Sequence, residues 1–74
     1  MTYEQRQALK MLADSPRGVT EAVLATHGLA GDLLTGLVRD GFASVASETV
    51  WENERSIEVI RVKITDSGRE ALKP

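Results

Sequence analysis

Few residues of this chain have the type and spacing that catalysis or metal binding requires. His27 is the single histidine and there is no cysteine, so a transition-metal site would have at most one imidazole ligand and no thiolate. The serines follow no nucleophile-elbow pattern, and no P-loop lysine follows Gly28. Three nearby acids indicate a solvated run of charge: Glu52, Glu54 and Glu58. The sequence therefore predicts a protein that is not an enzyme and holds no metal or cofactor.

Composition predicts a small cytoplasmic domain. The 74 residues carry a net charge of −2 and include one Trp, one Tyr and one Phe, so residues 1–74 should form a single domain with a mainly aliphatic core. The lack of cysteine suits a reducing compartment. The N-terminus has no apolar signal region and no apolar run approaches membrane-spanning length, so we expect no membrane contact. So small a core provides only marginal stability, and formation of a homodimer would add to it.

Helical signals dominate the first half of the chain. Thr2 and Gln5 have capping-box spacing and predict a helix over Tyr3–Ala13, buried along Ala8, Met11 and Leu12. After the Pro-Gly turn at 16–18, Val19 could form a one-residue β bridge and no more. Thr20 should cap a second helix, which ends at His27–Gly28. The buried side of this helix should be formed by Ala22, Val23 and Leu24. A third helix is expected from about residue 30 to 40, with this buried stripe: Leu33, Leu34, Leu37 and Val38.

The second half predicts a hairpin and a short helix. Alternation favours a strand over Phe42–Ser47, a polar tip at Trp51–Arg55 and a return strand over Ile57–Ile64. The return strand should turn Glu58, Ile60, Val62 and Ile64 towards the core. Thr65 then caps a final helix over residues 66–73.

Two segments carry a family resemblance: LLTGLVRDGFASV at 33–45 and VKITDSGREAL at 62–72. Their order after two helices resembles the winged helix-turn-helix domain of small bacterial transcriptional regulators, in the style of the MarR and PadR groups. The resemblance implies an α+β fold with a three-helix core, a two-stranded β wing and a short C-terminal helix. Leu24 departs from it, since a small residue is usual four positions before the turn glycine.

The resemblance also implies double-stranded DNA as the partner. The third helix would then enter the major groove, and the wing would touch the minor groove or the backbone. The implied contacts are Thr35, Gly36 and Arg39 on the helix, Asn53 and Arg55 on the wing, Thr20 at a phosphate, and the basic strand residues Arg61 and Lys63. Charge opposes this function, because residues 20–40 hold one cation and three acids and affinity for DNA depends on neutralised phosphates.

A protein-binding module is the alternative. Trp51 at a hairpin tip is typical of an interface anchor, although it could instead fold back over Val50 or Ile57. Arg55, Arg61 and Lys63 could equally form the solvated outer face of the sheet.

Overall fold

The chain folds as an α+β structure in the computed structural model, which describes residues 1–73. Pro74, the last residue of the expected domain, lies outside the described residues. The helices are α1 (Tyr3–Ala13), α2 (Glu21–Thr26), α3 (Asp32–Arg39) and α4 (Asp66–Leu72), and the strands are β1 (Val19–Thr20), β2 (Ala43–Glu52) and β3 (Arg55–Ile64). None of the helices within residues 1–73 has both the length and the apolar character needed to cross a membrane.

Side-chain caps begin three of the helices where the sequence predicted them. The Thr2 hydroxyl accepts a hydrogen bond from the Gln5 amide and the Gln5 side chain accepts one from the Thr2 amide, which confirms the capping box of α1. Thr20 caps α2 by accepting from the Val23 amide at 3.3 Å, and Thr65 caps α4 by accepting from the Gly68 amide at 3.0 Å. Each cap satisfies an amide that has no partner within its helix.

The sheet has three antiparallel strands in the order β1-β3-β2, one more than the sequence predicted. The expectation of a single bridging residue at Val19 was too cautious, because Val19 pairs with Val62 and Thr20 pairs with Arg61. Strand β1 is nevertheless two residues long, too short to show the alternation from which a strand is recognised in a sequence.

The hairpin is longer and its tip is tighter than expected. Strand β2 continues past the predicted end at Ser47 as far as Glu52, in unbroken register with β3. The loop is Asn53–Glu54, and both residues have positive φ, at 50° and 63°. Such values fit a two-residue turn of type I′, whose twist matches that of the strands. Trp51 therefore belongs to a strand and not to the tip.

The core is aliphatic and lies between the helices and one face of the sheet. Its fully buried large side chains come from α1, α2, α3 and β3: Leu9, Leu12, Leu24, Leu37 and Val62. On α1, Leu9 is fully buried and Met11 only partly so, which corrects the expected stripe. On α2, Ala22 and Val23 are exposed, contrary to expectation. A six-residue helix can turn only a narrow side towards the core, and Leu24 fills it.

The start of α4 is hydrogen-bonded to the residues that precede β2. The Thr65 hydroxyl donates to the Gly41 carbonyl at 2.6 Å, and the Thr65 amide donates to the Phe42 carbonyl at 3.1 Å. Gly68 is buried against the same stretch, where an added Cβ would lie 2.7 Å from Ile64 Cγ1. Thr65, which follows β3, thus connects the end of β3 to the segment that precedes β2 through two hydrogen bonds.

The hairpin extends well beyond this core. On β3, Ile60, Val62 and Ile64 are at least half-buried, as predicted, whereas Glu58 is exposed. On β2, Ala43 is buried and the nine residues after it are exposed. The molecule measures 46 × 22 × 20 Å, and ten residues of strand span roughly 33 Å. About half of the hairpin is therefore a projecting ribbon.

Candidate functional site

The outer face of α3 carries two of the residues that the family resemblance implied. Thr35 and Arg39 are exposed, one turn apart, while Leu34 and Leu37 are buried beneath them. The Arg39 side chain is 77% exposed, and its Nε lies 3.9 Å from an oxygen of Asp40. So loose an ion pair at the surface holds the guanidinium only weakly, and Arg39 is therefore available to a partner.

Gly36 is not on this outer face, and the prediction that it points outward is wrong. The residue is buried, and a Cβ built there would lie 3.3 Å from Nε2 of Gln5 on α1. Helix α1 contacts α3, and the Arg39 guanidinium is the next nearest group, 3.9 Å from where that Cβ would lie. Gly36 is therefore covered by the side chains of Gln5 and Arg39. The stripe of leucines in α3 could not reveal this contact, because it depends on where another helix lies.

A shallow groove joins α3 to the hairpin. Its volume is about 360 Å³, and it is lined by Glu21, Leu34, Thr35, Val38, Arg39 and Val45. Val45 comes from β2, so the exposed face of α3 and the base of the hairpin form one continuous surface. The floor of the groove is apolar, and its charged margin combines one cation, Arg39, with one acid, Glu21.

The charge around α3 does not favour a polyanion. Asp32 lies in the first turn of α3 and Asp40 is its C-terminal cap residue. Together with Glu21 in the first turn of α2, they place three carboxylates around the single cation Arg39. Each carboxylate repels phosphate, so this surface offers weak electrostatic attraction to DNA.

Thr20 lies at the junction of β1 and α2. Its hydroxyl already accepts from the Val23 amide, and its backbone pairs with Arg61. A phosphate contact by this hydroxyl would have to share it with the cap of α2.

The two basic residues of β3 differ in their availability. Arg61 and Lys63 lie on the face of β3 opposite Val62, and their side-chain stems flank Gly18, whose Cβ would come within 2.9 Å of both. Arg61 Nε donates to Glu48 Oε2 at 2.6 Å, and the Arg61 side chain is 27% exposed. Lys63 is exposed and makes no ion pair within residues 1–73. Of the pair, Lys63 is the one that could meet a phosphate without losing an internal partner.

At the hairpin tip, Asn53 and Arg55 are exposed as expected. Arg55 pairs in register with Glu52, so an acid faces the one cation at this end. The tip therefore offers an amide and a guanidinium to a partner, beside the carboxylates of Glu52 and Glu54.

Trp51 is 74% exposed and does not cover Val50 or Ile57, so the alternative in which it folds back over them is wrong. Val50 and Ile57 pair across the strands, and adjacent residues of a strand point to opposite faces. The indole is thus on the other side of the ribbon from that pair. Both faces of the ribbon expose large apolar side chains, and the sequence analysis identified only Trp51 among them.

The remaining candidates for a metal site are His27 and the acidic residues. His27 is exposed at the C-terminal end of α2 and lies beside an open groove formed largely by α1. No group of three His, Asp or Glu side chains within residues 1–73 is arranged to hold a metal ion. Comparison with models of protein families, with curated proteins and with solved structures gave no match.

Proposed function

We propose that this chain is a winged helix-turn-helix module that binds double-stranded DNA, as a small transcriptional regulator would. One observation carries the proposal: the exposed residues Thr35 and Arg39 of α3 share a continuous surface with the base of the long hairpin β2–β3. In winged helix domains a helix enters the major groove and the wing contacts the minor groove or backbone. The order of elements and the resemblance of residues 33–45 and 62–72 to such regulators support the same function.

The contacts in this proposal divide by role. Thr35 and Arg39 would meet base edges, because they lie on the exposed face of α3. Arg55, Asn53 and Lys63 would meet sugar or phosphate, which orients a protein on DNA without reading its sequence. Arg61 contributes less, because Glu48 neutralises it. Gly36 has no part in the proposed contact.

The same charges predict weak binding with a shallow dependence on salt. Arg39, Arg55 and Lys63 are the cations proposed to meet phosphates or bases, and each neutralised phosphate contributes about −0.9 to the slope of log K against log salt. A single copy should therefore show a slope no steeper than about −3. The measurement is fluorescence anisotropy of a labelled random-sequence duplex at low ionic strength, followed by titration with salt.

Arg39→Ala provides the sharper test. It should weaken binding at low salt by about tenfold and flatten any sequence preference, since a base contact by arginine contributes about 1–3 kcal/mol. Arg69→Ala is the matched control, because Arg69 is an exposed arginine on α4 and should leave affinity almost unchanged. The proposal fails if no duplex is bound at low salt, if binding does not weaken with added salt, or if the two variants behave alike.

A protein-binding role is the second candidate, favoured by the apolar side chains on the ribbon. Val45, Val50, Trp51 and Ile57 are between 36% and 74% exposed. Val50 and Ile57 lie on one face of the ribbon and Trp51 on the other, and an exposed tryptophan is typical of an interface anchor. This candidate predicts that Trp51→Ala weakens binding of the partner protein while Arg39→Ala does not. The reverse is expected for DNA binding.

A further inference from the structure

Strand β2 lies at the edge of the sheet. In the sheet order β1-β3-β2, β2 pairs with β3 on one side and has no strand on the other within residues 1–73. Its ten residues include no proline, lysine or arginine, and its register with β3 contains no bulge. Natural proteins place prolines, charged side chains or β-bulges at strand edges to block unwanted pairing. Of these devices β2 has only two charged side chains, Glu48 and Glu52, so little prevents another strand from pairing with its edge.

Exposed apolar residues on β2 are spaced symmetrically about Glu48. Val45 and Trp51 lie three residues to either side of it, on the same face of the strand, and are 45% and 74% exposed. If two copies of β2 ran antiparallel with Glu48 opposite Glu48, Val45 of each copy would lie directly opposite Trp51 of the other. Aromatic and β-branched residues are a favourable pair across strands.

We propose that the chain forms a symmetric dimer through this edge, with β2 pairing antiparallel to β2 of a second copy about Glu48. The two sheets become one sheet of six strands. Because opposite residues point to the same face of a sheet, both sets of helices lie on one side of it.

The groove beside α3 adds to the complementarity. Val45 lines this groove together with Leu34 and Val38. In the proposed register the indole of Trp51 from the partner subunit stands next to Val45, above that apolar floor. Each copy therefore provides both the aromatic side chain and the surface that covers it, as a two-fold interface requires.

Charge does not oppose this register. Two Glu48 side chains facing each other would be unfavourable if they were unpaired. Each is already bound to Arg61 of its own chain at 2.6 Å, so the centre of the interface holds two acids and two cations. Glu52, the other acid of β2, would lie opposite the partner's Ser44, which is uncharged.

The accessible area is consistent with a missing partner. The molecule exposes 5091 Å², whereas a folded monomer of 8.1 kDa is expected to expose about 4,500 Å². The excess is of the same order as the roughly 800 Å² that each partner buries in an interface of standard size. The dimer does not depend on the proposed DNA binding, and it is tested without DNA.

Disulfide trapping tests the register directly, because the chain has no native cysteine. In Glu48→Cys the two thiols face each other at the two-fold axis, where Cβ atoms are about 4.5–5.5 Å apart, and mild oxidation should give a covalent dimer. Glu58→Cys is the matched control, since it replaces an exposed glutamate on β3 that lies at least about 14 Å from its copy. Equal rates of cross-linking at the two positions would overturn the proposal.

Trp51 is the single tryptophan and reports on the unmodified protein. Its fluorescence emission should shift to shorter wavelength as concentration rises from low micromolar to near millimolar, in parallel with dimer formation in sedimentation equilibrium. Trp51→Ala should raise the dissociation constant of the dimer by at least about tenfold. Tyr3→Ala removes an equally exposed aromatic on α1 and should not change it. A monomer at near-millimolar concentration with constant emission would refute the dimer.

Discussion

Gly68 shows how one residue sets the distance between the last helix and the sheet. It lies inside α4, where alanine would ordinarily be the better helix former. A Cβ at this position would clash with the carbonyl oxygen of Phe42 and lie 2.7 Å from Ile64 Cγ1. Backbone cannot move aside as the end of a flexible side chain can, so the clash outweighs helix propensity.

We therefore expect Gly68→Ala to lower the free energy of unfolding by about 1–3 kcal/mol, the usual cost of overpacking. Gly36→Ala is the matched comparison, since the nearest contact of its Cβ is the flexible end of Gln5 at 3.3 Å. That change should be neutral or raise the free energy of unfolding by up to about 1 kcal/mol. Urea unfolding measures both. A stabilising effect at Gly68 would show that α4 does not lie against Phe42.

Single residues also mark where the sequence could not predict the site. The exposure of Thr35 and Arg39 could be predicted because the leucine stripe of α3 determines which face is left exposed. Gly36 was misassigned because its burial depends on Gln5 from another helix. The sequence left open whether Trp51 folds back over its neighbours or stays exposed, and the face on which it lies followed only once its register with Ser56 was known.

Among the secondary-structure elements, those with local signals were predicted best. The starts of α1, α2 and α4 follow from Thr2, Thr20 and Thr65, whose hydroxyls accept hydrogen bonds from amides three residues away. Strand β1 was missed because its partner Val62 is far away in the sequence. The full length of the hairpin was missed because its outer residues are exposed on both faces and show no alternation of apolar and polar residues. The winged helix and DNA contact that the resemblance implied remain a proposal.

Thr65 connects three elements, and its removal should be costly. Thr65→Ala loses the bond from the Gly68 amide and the bond to the Gly41 carbonyl, so we expect the free energy of unfolding to fall by about 1–2 kcal/mol. Thr65→Ser keeps the hydroxyl and should retain most of the stability. Thermal or urea unfolding of the two variants distinguishes them, and equal stability would mean that the hydroxyl contributes nothing.

On the scale of the whole molecule, the shape is a small body with a long ribbon. The radius of gyration is 12.6 Å, against about 11 Å for a compact chain of this length. The excess comes from the hairpin, whose outer half has exposed side chains on both faces. Stability should therefore be uneven along the hairpin, because burial is concentrated at its base.

Hydrogen exchange can test this gradient in dilute solution, where single copies predominate. Amides that bond across β2–β3 near residues 48–59 should exchange about a hundredfold faster than those next to Val62, since they open without unfolding the core. Protection that is uniform along the hairpin would instead show that the ribbon and the body unfold as one unit.

The two-residue strand β1 has a consequence for the order of folding. Residues of the hairpin meet across a two-residue loop, so β2 and β3 can zip together early. Val19 meets Val62 only after more than forty intervening residues have been brought into place, at the entropic cost of closing that loop. We therefore expect the β1–β3 contact to form after the rate-limiting step, so that Val19→Ala speeds unfolding and leaves the folding rate almost unchanged.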